Sequence, residues 1–247
     1  MKTMKVVIPG VLTTVQDLGR FGYQKSGMTS SGVMDTAAYR KANYLVGNEE
    51  GAAVLEMTLY GGSCRFEEDT VIALTGADMQ PTVNQKPIAM NQAVKVPAGG
   101  VLNLGMAKTG CRTYLAVAGG FEVPKVMGSY STNLKCGIGG HEGRALQMGD
   151  ELPIGEALHS WDEVKDRKVS VPDYPKEVLV SVVPGPQEEY FTEAGIHHFY
   201  SESYEVTESC DRMGYRLEGP EVESKSGTDI VSDGIVFGSI QIPSSGK

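Results

Sequence analysis

The chain has 247 residues, enough for one large domain or two of ordinary size on a prior of ~100–200 residues per domain. Hydrophobic residues make up 40% of it and no apolar run approaches ~18 residues, which argues for a soluble globular protein and against a membrane-spanning helix. A formal net charge of −9 argues against nucleic acid or an anionic membrane as partner, because both demand a basic surface; a local arginine cluster can still hold a small anion. The first expected element is a strand over residues 4–8, and Pro9 and Gly10 interrupt the apolar stretch too early for a signal peptide, so a cytoplasmic location is expected.

The next stretch, residues 13–48, concentrates special geometry and charge. Gly19, Gly22, Gly27, Gly32 and Gly47 suit tight turns or close backbone approach, and residues 35–46, with few breakers, predict a helix fed by a loop. Ser30 or Ser31 is the expected cap, with Ala37, Ala38, Ala42 and Leu45 as the apolar stripe and Asp35 and Arg40 facing elsewhere. Loop amides, a helix N-terminus and the nearby Arg20, Lys25 and Arg40 would suit an anionic ligand. A glycine-rich connection whose arginines pair with carboxylates accounts for the same residues.

Short strands follow. Leu55, Met57 and Leu59 alternate with Glu56 and Thr58, the pattern of a half-buried strand, and residues 70–74 predict another. Residues 81–90 predict a hairpin turning at Asn84 and Gln85, and residues 93–96, 100–105 and 112–117 add three more strands. Many short strands at close spacing predict a barrel or a sandwich. Residues 118–150 form a long, irregular, glycine-rich segment in which Ser129, Ser131, Thr132 and Arg144 lie on flexible backbone, as binding loops do or as a plain surface excursion would. Neither nucleotide signature is met: GxxxxGK[ST] is absent, and GIGGHEGR is not GxGxxG between a strand and a helix.

Residues 155–176 are charged and punctuated by proline, as a linker is, which places a domain boundary near residue 170 and gives domains of 1–170 and 171–247. A new β pattern is expected from residue 177, with a short helix at 187–194. Residues 204–217 set Asp211, Arg212 and Arg216 around Gly214 in extended or turn structure; an ion pair with Asp211 is the plainer account of them. Val236, Ser239, Ile240, Gln241 and Ile242 read as a last strand, so about four strands are expected after residue 177, too few to close a barrel. An unpaired edge there would be completed by another chain, or the sequence is shortened. Cys64, Cys111, Cys136 and Cys210 form no CxxC pair and read as free thiols. His197 and His198, adjacent and taken as strand residues, would point to opposite faces, so no metal site is expected.

The motifs TTVQDLGRFGYQKSGMTSSGVMD, ANYLVGN, LEMTLYGG, LTGAD, RTYLAVAGGFEVPKVMGSYST, DRMGYRL and GSIQIPSSGK occur in the order found in the prokaryotic family of 5-oxoprolinase C subunits. That family is also described as biotin-dependent carboxyltransferase-like, allophanate hydrolase subunit 2-like, or as the KipA antagonist of a sporulation-kinase inhibitor. The chain resembles it along its whole length. Members usually continue for roughly another half-domain past the last motif, so an incomplete second domain is expected.

The resemblance implies a mainly β protein with a few helices, built as two cyclophilin-like β-barrel domains. It implies two partners, a KipI-like protein of the B-subunit type and an A subunit, with which 5-oxoproline is opened to glutamate at the expense of ATP, with Mg2+, at the level of the complex. The family pattern's polar positions fall on Ser31, Asp35, Arg40 and Asn43 in the first loop and helix. Further ones fall on Ser129, Ser131 and Thr132 in the middle loop and on Asp211, Arg212 and Arg216 in the second domain. Arginines are expected to contact phosphate or carboxylate, Asp35 or Asp211 to serve as base or orienting group, and Ser31, Asn43, Ser129, Ser131, Thr132 and Arg216 to bind substrate. Two other functions fit the same family: carboxyl transfer to urea or a similar amide, with biotin arriving on another protein because no Ala-Met-Lys-Met motif is present, and antagonism of a histidine-kinase inhibitor by binding alone.

Overall fold

Between β1 (Lys2–Ile8) and β2 (Leu12–Gln16) the chain changes from one sheet to another within three residues. The change is made at Gly10, where φ is 74° and an added Cβ would stand 2.4 Å from the carbonyl oxygen of Tyr60, so only glycine fits. The structure is a computed structural model and describes residues 2–231 and 233–246. It forms two compact units, Met1–Glu177 and Val178–Lys247.

In the first unit, β1 joins β4 (Tyr60–Phe66), β9 (Val101–Met106), the short hairpin β6 (Thr82–Val83) and β7 (Lys86–Pro87), and β11 (Glu151–Ile154), in the order β11-β1-β4-β9-β6-β7. The second sheet has the order β2-β3-β10-β5-β8, with β3 (Val54–Thr58), β5 (Thr70–Gly76), β8 (Ala93–Val96) and β10 (Arg112–Val117). All these pairings are antiparallel. Met4, Val6, Phe66, Leu102 and Leu152 of one sheet and Val15, Leu55, Ile72 and Leu115 of the other share a single core. The mainly β expectation holds, but neither strand order returns to its start, so the described strands form two open sheets around one core and no closed ring.

Helix α1 (Thr36–Val46) lies on the outer face of the second sheet, where Ala38, Tyr39, Ala42, Leu45 and Val46 pack on Val54, Ala73, Tyr114 and Ala116. Burying a side chain such as Leu45 contributes about 1.5–3 kcal/mol. The helix also corrects the expected half-buried strand: with α1 on one side and the core on the other, β3 is buried on both faces, Glu56 included, and Leu59 is an exposed turn residue at φ 60°. Two further details differ. Ala37 is exposed and Tyr39 takes its place in the stripe, its hydroxyl donating to the carbonyls of Glu50 and Ala52. The cap is Asp35, whose side chain accepts from Ala38 N at 2.9 Å, because Ser30 and Ser31 are held back in the turn that closes the preceding loop. The Asn84-Gln85 hairpin is present, both residues having positive φ as a tight antiparallel turn requires.

Residues 155–177 belong to the first unit and run back along α1. After helix α2 (Trp161–Val164), with its Ser160–Glu163 capping box, Arg167 donates to the carbonyl of Tyr44 at 2.7 Å and Lys41 to that of Ser170 at 3.5 Å. Tyr174 reaches the start of the helix and donates to Asp35 Oδ2 at 3.1 Å.

The second unit holds α3 (Glu193–Ser201) and one hairpin, β12 (Glu205–Cys210) with β13 (Tyr215–Glu218). About four strands were expected after residue 177. The described residues form two, and the stretches around Leu179 and Phe237 are irregular and mostly exposed, since strand-like sequence alone cannot hold a strand without a neighbour to pair with. The expected helix at 187–194 is present as a single 3-10 turn, Glu188–Tyr190, followed by α3, which starts at Glu193 and is capped by Thr192, and His197 and His198 lie on α3 rather than on a strand. Among the described residues no helix is long and apolar enough to cross a membrane.

Candidate functional site

The loop that leaves β2 is pinched at its neck. Arg20 N donates to Ser30 O at 2.6 Å and Val33 N to Asp17 O at 2.9 Å, with Gly19 and Gly32 facing each other across the neck at φ 109° and 94°. An added Cβ would stand 2.9 Å from Ser30 O at Gly19 and 2.8 Å from Leu18 O at Gly32, so side chains are excluded there. The start of this stretch, expected as loop, is strand β2, and the loop proper occupies residues 17–33. Ser31, at φ 55° and half-buried, is part of its closure.

The neck is latched to the middle loop by a buried carboxylate. Asp17, 6% exposed, accepts at Oδ1 from Gly19 N (2.9 Å), Ser129 Oγ (2.6 Å) and Ser131 Oγ (2.5 Å), and at Oδ2 from Tyr130 N (2.7 Å). Arg20, 1% exposed, donates from Nε to Val126 O and from Nη2 to Ser131 O, both at 2.9 Å. The two opposite charges thus meet on Ser131, one at its hydroxyl and one at its carbonyl, which offsets part of the cost of burying each. Thr132 Oγ1 donates to Val15 O at 3.0 Å and its carbonyl accepts from Gln16 Nε2 at 3.3 Å. Gly139 and Gly140 press on this latch so closely that a Cβ would lie 2.2 Å from Ser131 O and 1.9 Å from Thr132 Oγ1, respectively.

A second polar group surrounds the start of α1. Glu56, 2% exposed, accepts at Oε2 from Tyr114 Oη (2.9 Å) and Met34 N (2.9 Å), and its Oε1 stands 3.7 Å from Arg112 Nε. Tyr114 Oη in turn accepts from Asp35 N at 2.8 Å, so the buried glutamate fixes the main chain at the cap through the phenol. Burial, and then the Glu56 and Asp35 carboxylates, push the Tyr114 phenol well above its ordinary range, so it stays a donor. Burial and Asp35 push Tyr174 up to about 12, with the same result.

The sequence-predicted residues therefore divide. Ser129, Ser131 and Thr132 meet in the latch, out of contact with solvent. Asp35 sits at the cap between Ala38 and Tyr174. Arg40 is on the exposed side of α1, paired with Glu50 at 2.7 Å. Asn43 is buried, donating to Ala52 O at 3.1 Å and accepting from Asn48 Nδ2 at 2.9 Å. Asp211, Arg212 and Arg216 lie in the other unit, the first two in the turn of the β12–β13 hairpin and Arg216 on β13. There Asp211 Oδ1 accepts from Met213 N (2.6 Å) and Gly214 N (3.2 Å), an Asx turn. Among the described residues no three His, Cys, Asp or Glu side chains gather as a metal cage.

Sequence reasoning missed Asp17, Glu56, Tyr114 and Tyr174. Asp17 carried one signal, its place two residues before Gly19 in a polar run. Glu56 read as the wet side of a strand, Tyr114 as an ordinary strand aromatic and Tyr174 as linker, because each acquires its role from residues 22 or more positions away.

Comparison with known proteins places the chain as a whole. The carboxyltransferase domain model, subdomains A and B, matches residues 26–247. The chain is 38% identical to the 5-oxoprolinase C subunit of Escherichia coli K12 over 99% of its own length and 77% of that protein's. It is 34% identical to the protein of the same name from Haemophilus influenzae, over 95% of its length and 74% of that protein's. Among solved structures it superimposes on the Kluyveromyces lactis urea carboxylase with a TM-score of 0.75 at 34% identity, covering 90% of this chain and 21% of that much longer one. With the family model spanning both units and the relatives aligned along nearly all of this chain, the chain belongs to the carboxyltransferase-domain family, subdomains A and B, in company with 5-oxoprolinase C subunits.

Proposed function

We propose that this chain is the C subunit of an ATP-dependent 5-oxoprolinase, inactive alone and working in the cytoplasm with a KipI-like protein of the B-subunit type and an A subunit. The observation that carries the reading is the 38% identity to a 5-oxoprolinase C subunit that runs through 99% of this chain. A lactam is a poor electrophile. Transfer of the γ-phosphoryl group of ATP to its carbonyl oxygen releases ADP and activates the carbon; water then adds, the ring C–N bond breaks as nitrogen takes a proton, and a second water frees phosphate and leaves glutamate. ATP enters as a co-substrate of the complex, and we place its Mg2+ on the nucleotide.

In this reading Arg40 and Arg212, with Arg216, contact phosphate or carboxylate, where a guanidinium stabilises the charge that grows on a transferring phosphoryl group. Asp35 or Asp211 orients substrate or accepts a proton. Ser31, in the loop before α1, and Asn43, near its end, are taken as substrate-binding positions, and Ser129, Ser131 and Thr132 as the same on the middle loop, which they also hold to the first. Carboxyl transfer, with biotin carried on another protein, is the second reading, favoured by the superposition on urea carboxylase.

The test is 5-oxoproline-dependent ATP hydrolysis by this chain mixed with its neighbouring subunits, each omitted in turn. Glutamate release that stops when this chain is left out is the expected result, and Arg40→Ala or Arg212→Ala is expected to abolish turnover while the subunits still assemble. Undiminished activity without the chain would sink the reading and leave carboxyl transfer, or antagonism of a kinase inhibitor, in its place.

A further inference from the structure

The two oxygens of Asp35 have different duties. Oδ1 caps α1 through Ala38 N at 2.9 Å and cannot leave without uncapping the helix, whereas Oδ2 accepts a single side-chain bond, 3.1 Å from the Tyr174 hydroxyl. Tyr174 comes from the far end of the segment that runs along α1. That segment is held firmly further back, where His159 packs on Gly47, Arg167 bonds the carbonyl of Tyr44 and lies over its ring at 5.3 Å, and Val169 N bonds Asn91 O at 3.0 Å. Beyond Ser170 it loosens: Val171 and Asp173 are exposed, and Pro172 and Pro175 have no N–H with which to join a sheet and hold the chain extended. The Tyr174 ring rests on Gly110, where an added Cβ would stand 3.1 Å from its edge.

We propose that Tyr174 is a clasp on Asp35, occupying with its hydroxyl the position at Oδ2 that the ring N–H of a cyclic amide substrate takes when the strap lifts. This rests on the reading of Asp35 as a substrate-facing residue of a 5-oxoprolinase. A lactam N–H and a phenol O–H are both single neutral donors to a carboxylate, so one replaces the other without altering the charge or the cap. Tyr174 is a positioning residue that competes with substrate and takes no part in the chemical step.

The test is Tyr174→Phe in the assembled complex, which removes the hydroxyl and keeps the ring on Gly110. KM for 5-oxoproline, and its Kd measured by calorimetry without nucleotide, are expected to fall about 3- to 10-fold, the range spanned by one net hydrogen bond, while kcat stays within about twofold. An unchanged KM and Kd, or a lower kcat at unchanged KM, would overturn the clasp and leave Tyr174 as packing or as an orienter of Asp35. A wild-type complex that assembles yet neither binds nor turns over 5-oxoproline would overturn the functional reading and the clasp together.

Discussion

Replacing Asp17 tests whether the carboxylate latch holds the two glycine-rich loops together. Asp17→Ala removes the acceptor of four donors: the hydroxyls of Ser129 and Ser131 can rotate to other partners, but the amides of Gly19 and Tyr130 are fixed by the main chain and lose theirs. Arg20 is left 1% exposed without the nearby negative charge. Hydrogen bonds to a charged group contribute about 1.5–3 kcal/mol each and do not add fully within one network, so with two main-chain amides left unpaired a loss of about 4 kcal/mol is expected. At roughly 2–4 °C per kcal/mol for a unit of this size, the thermal midpoint should fall by about 8–16 °C in differential scanning calorimetry. Asp17→Asn keeps the shape and one carbonyl acceptor but turns an NH2 toward a donor, and about half that fall is expected. A drop of less than about 3 °C for Asp17→Ala would refute the latch, and the two loops would then owe their contact to packing alone.

Tyr114→Phe keeps a fully buried ring but leaves Asp35 N without its acceptor and Glu56 without one donor, which should cost about 2–3 kcal/mol in urea unfolding; a change below about 0.5 kcal/mol would dissolve the proposed link from Glu56 to the cap. Gly139→Ala, at φ 70° with a Cβ 2.2 Å from a backbone oxygen, should cost more than about 3 kcal/mol, whereas Gly128→Ala, at φ 77° with open space, should cost only the ~1–2 kcal/mol of a left-handed residue; equal effects would count against close packing at the latch. Asp150 is held down to about 2 chiefly by its hydrogen bonds to Arg144, against the opposing effect of burial. Its carboxyl is more acidic folded than unfolded, so the stability it contributes is complete above about pH 4 and is lost as pH falls toward 2, on the order of 2 kcal/mol. Acid unfolding of Arg144→Gln should accordingly be shallower than wild type across that window, and parallel curves would place the acid sensitivity elsewhere.

Local patterning is enough for the elements whose cause is local. The 93–96 and 112–117 strands, the Asn84-Gln85 hairpin and the helix up to Val46 all follow from β-branched runs, positive-φ residues and the glycine stop at Gly47, causes that lie within a few residues of their effects. The glycine-rich character of the two loops was likewise legible, because a backbone at φ 109° or 94° demands that residue. What joined those loops was decided by the tertiary fold. Asp17 and Ser131 are 114 positions apart and Asp35 and Tyr174 are 139 apart, and no periodicity encodes such pairs, which exist only once two sheets close on one core and bring their edges together. Burial also set the partners of residues whose type was plain in the chain: Glu56 became an internal acceptor when α1 covered β3, and the hydroxyls of Ser129 and Ser131 turn to the buried Asp17 carboxylate. In residues 178–247 the dependence runs the other way. The apolar β run around Val180 and the alternation around Val236 are written in the sequence, yet a strand needs a partner for its amides and carbonyls, and among the described residues of this unit only β12 and β13, besides the isolated bridge of Phe191 with Ser224, find one.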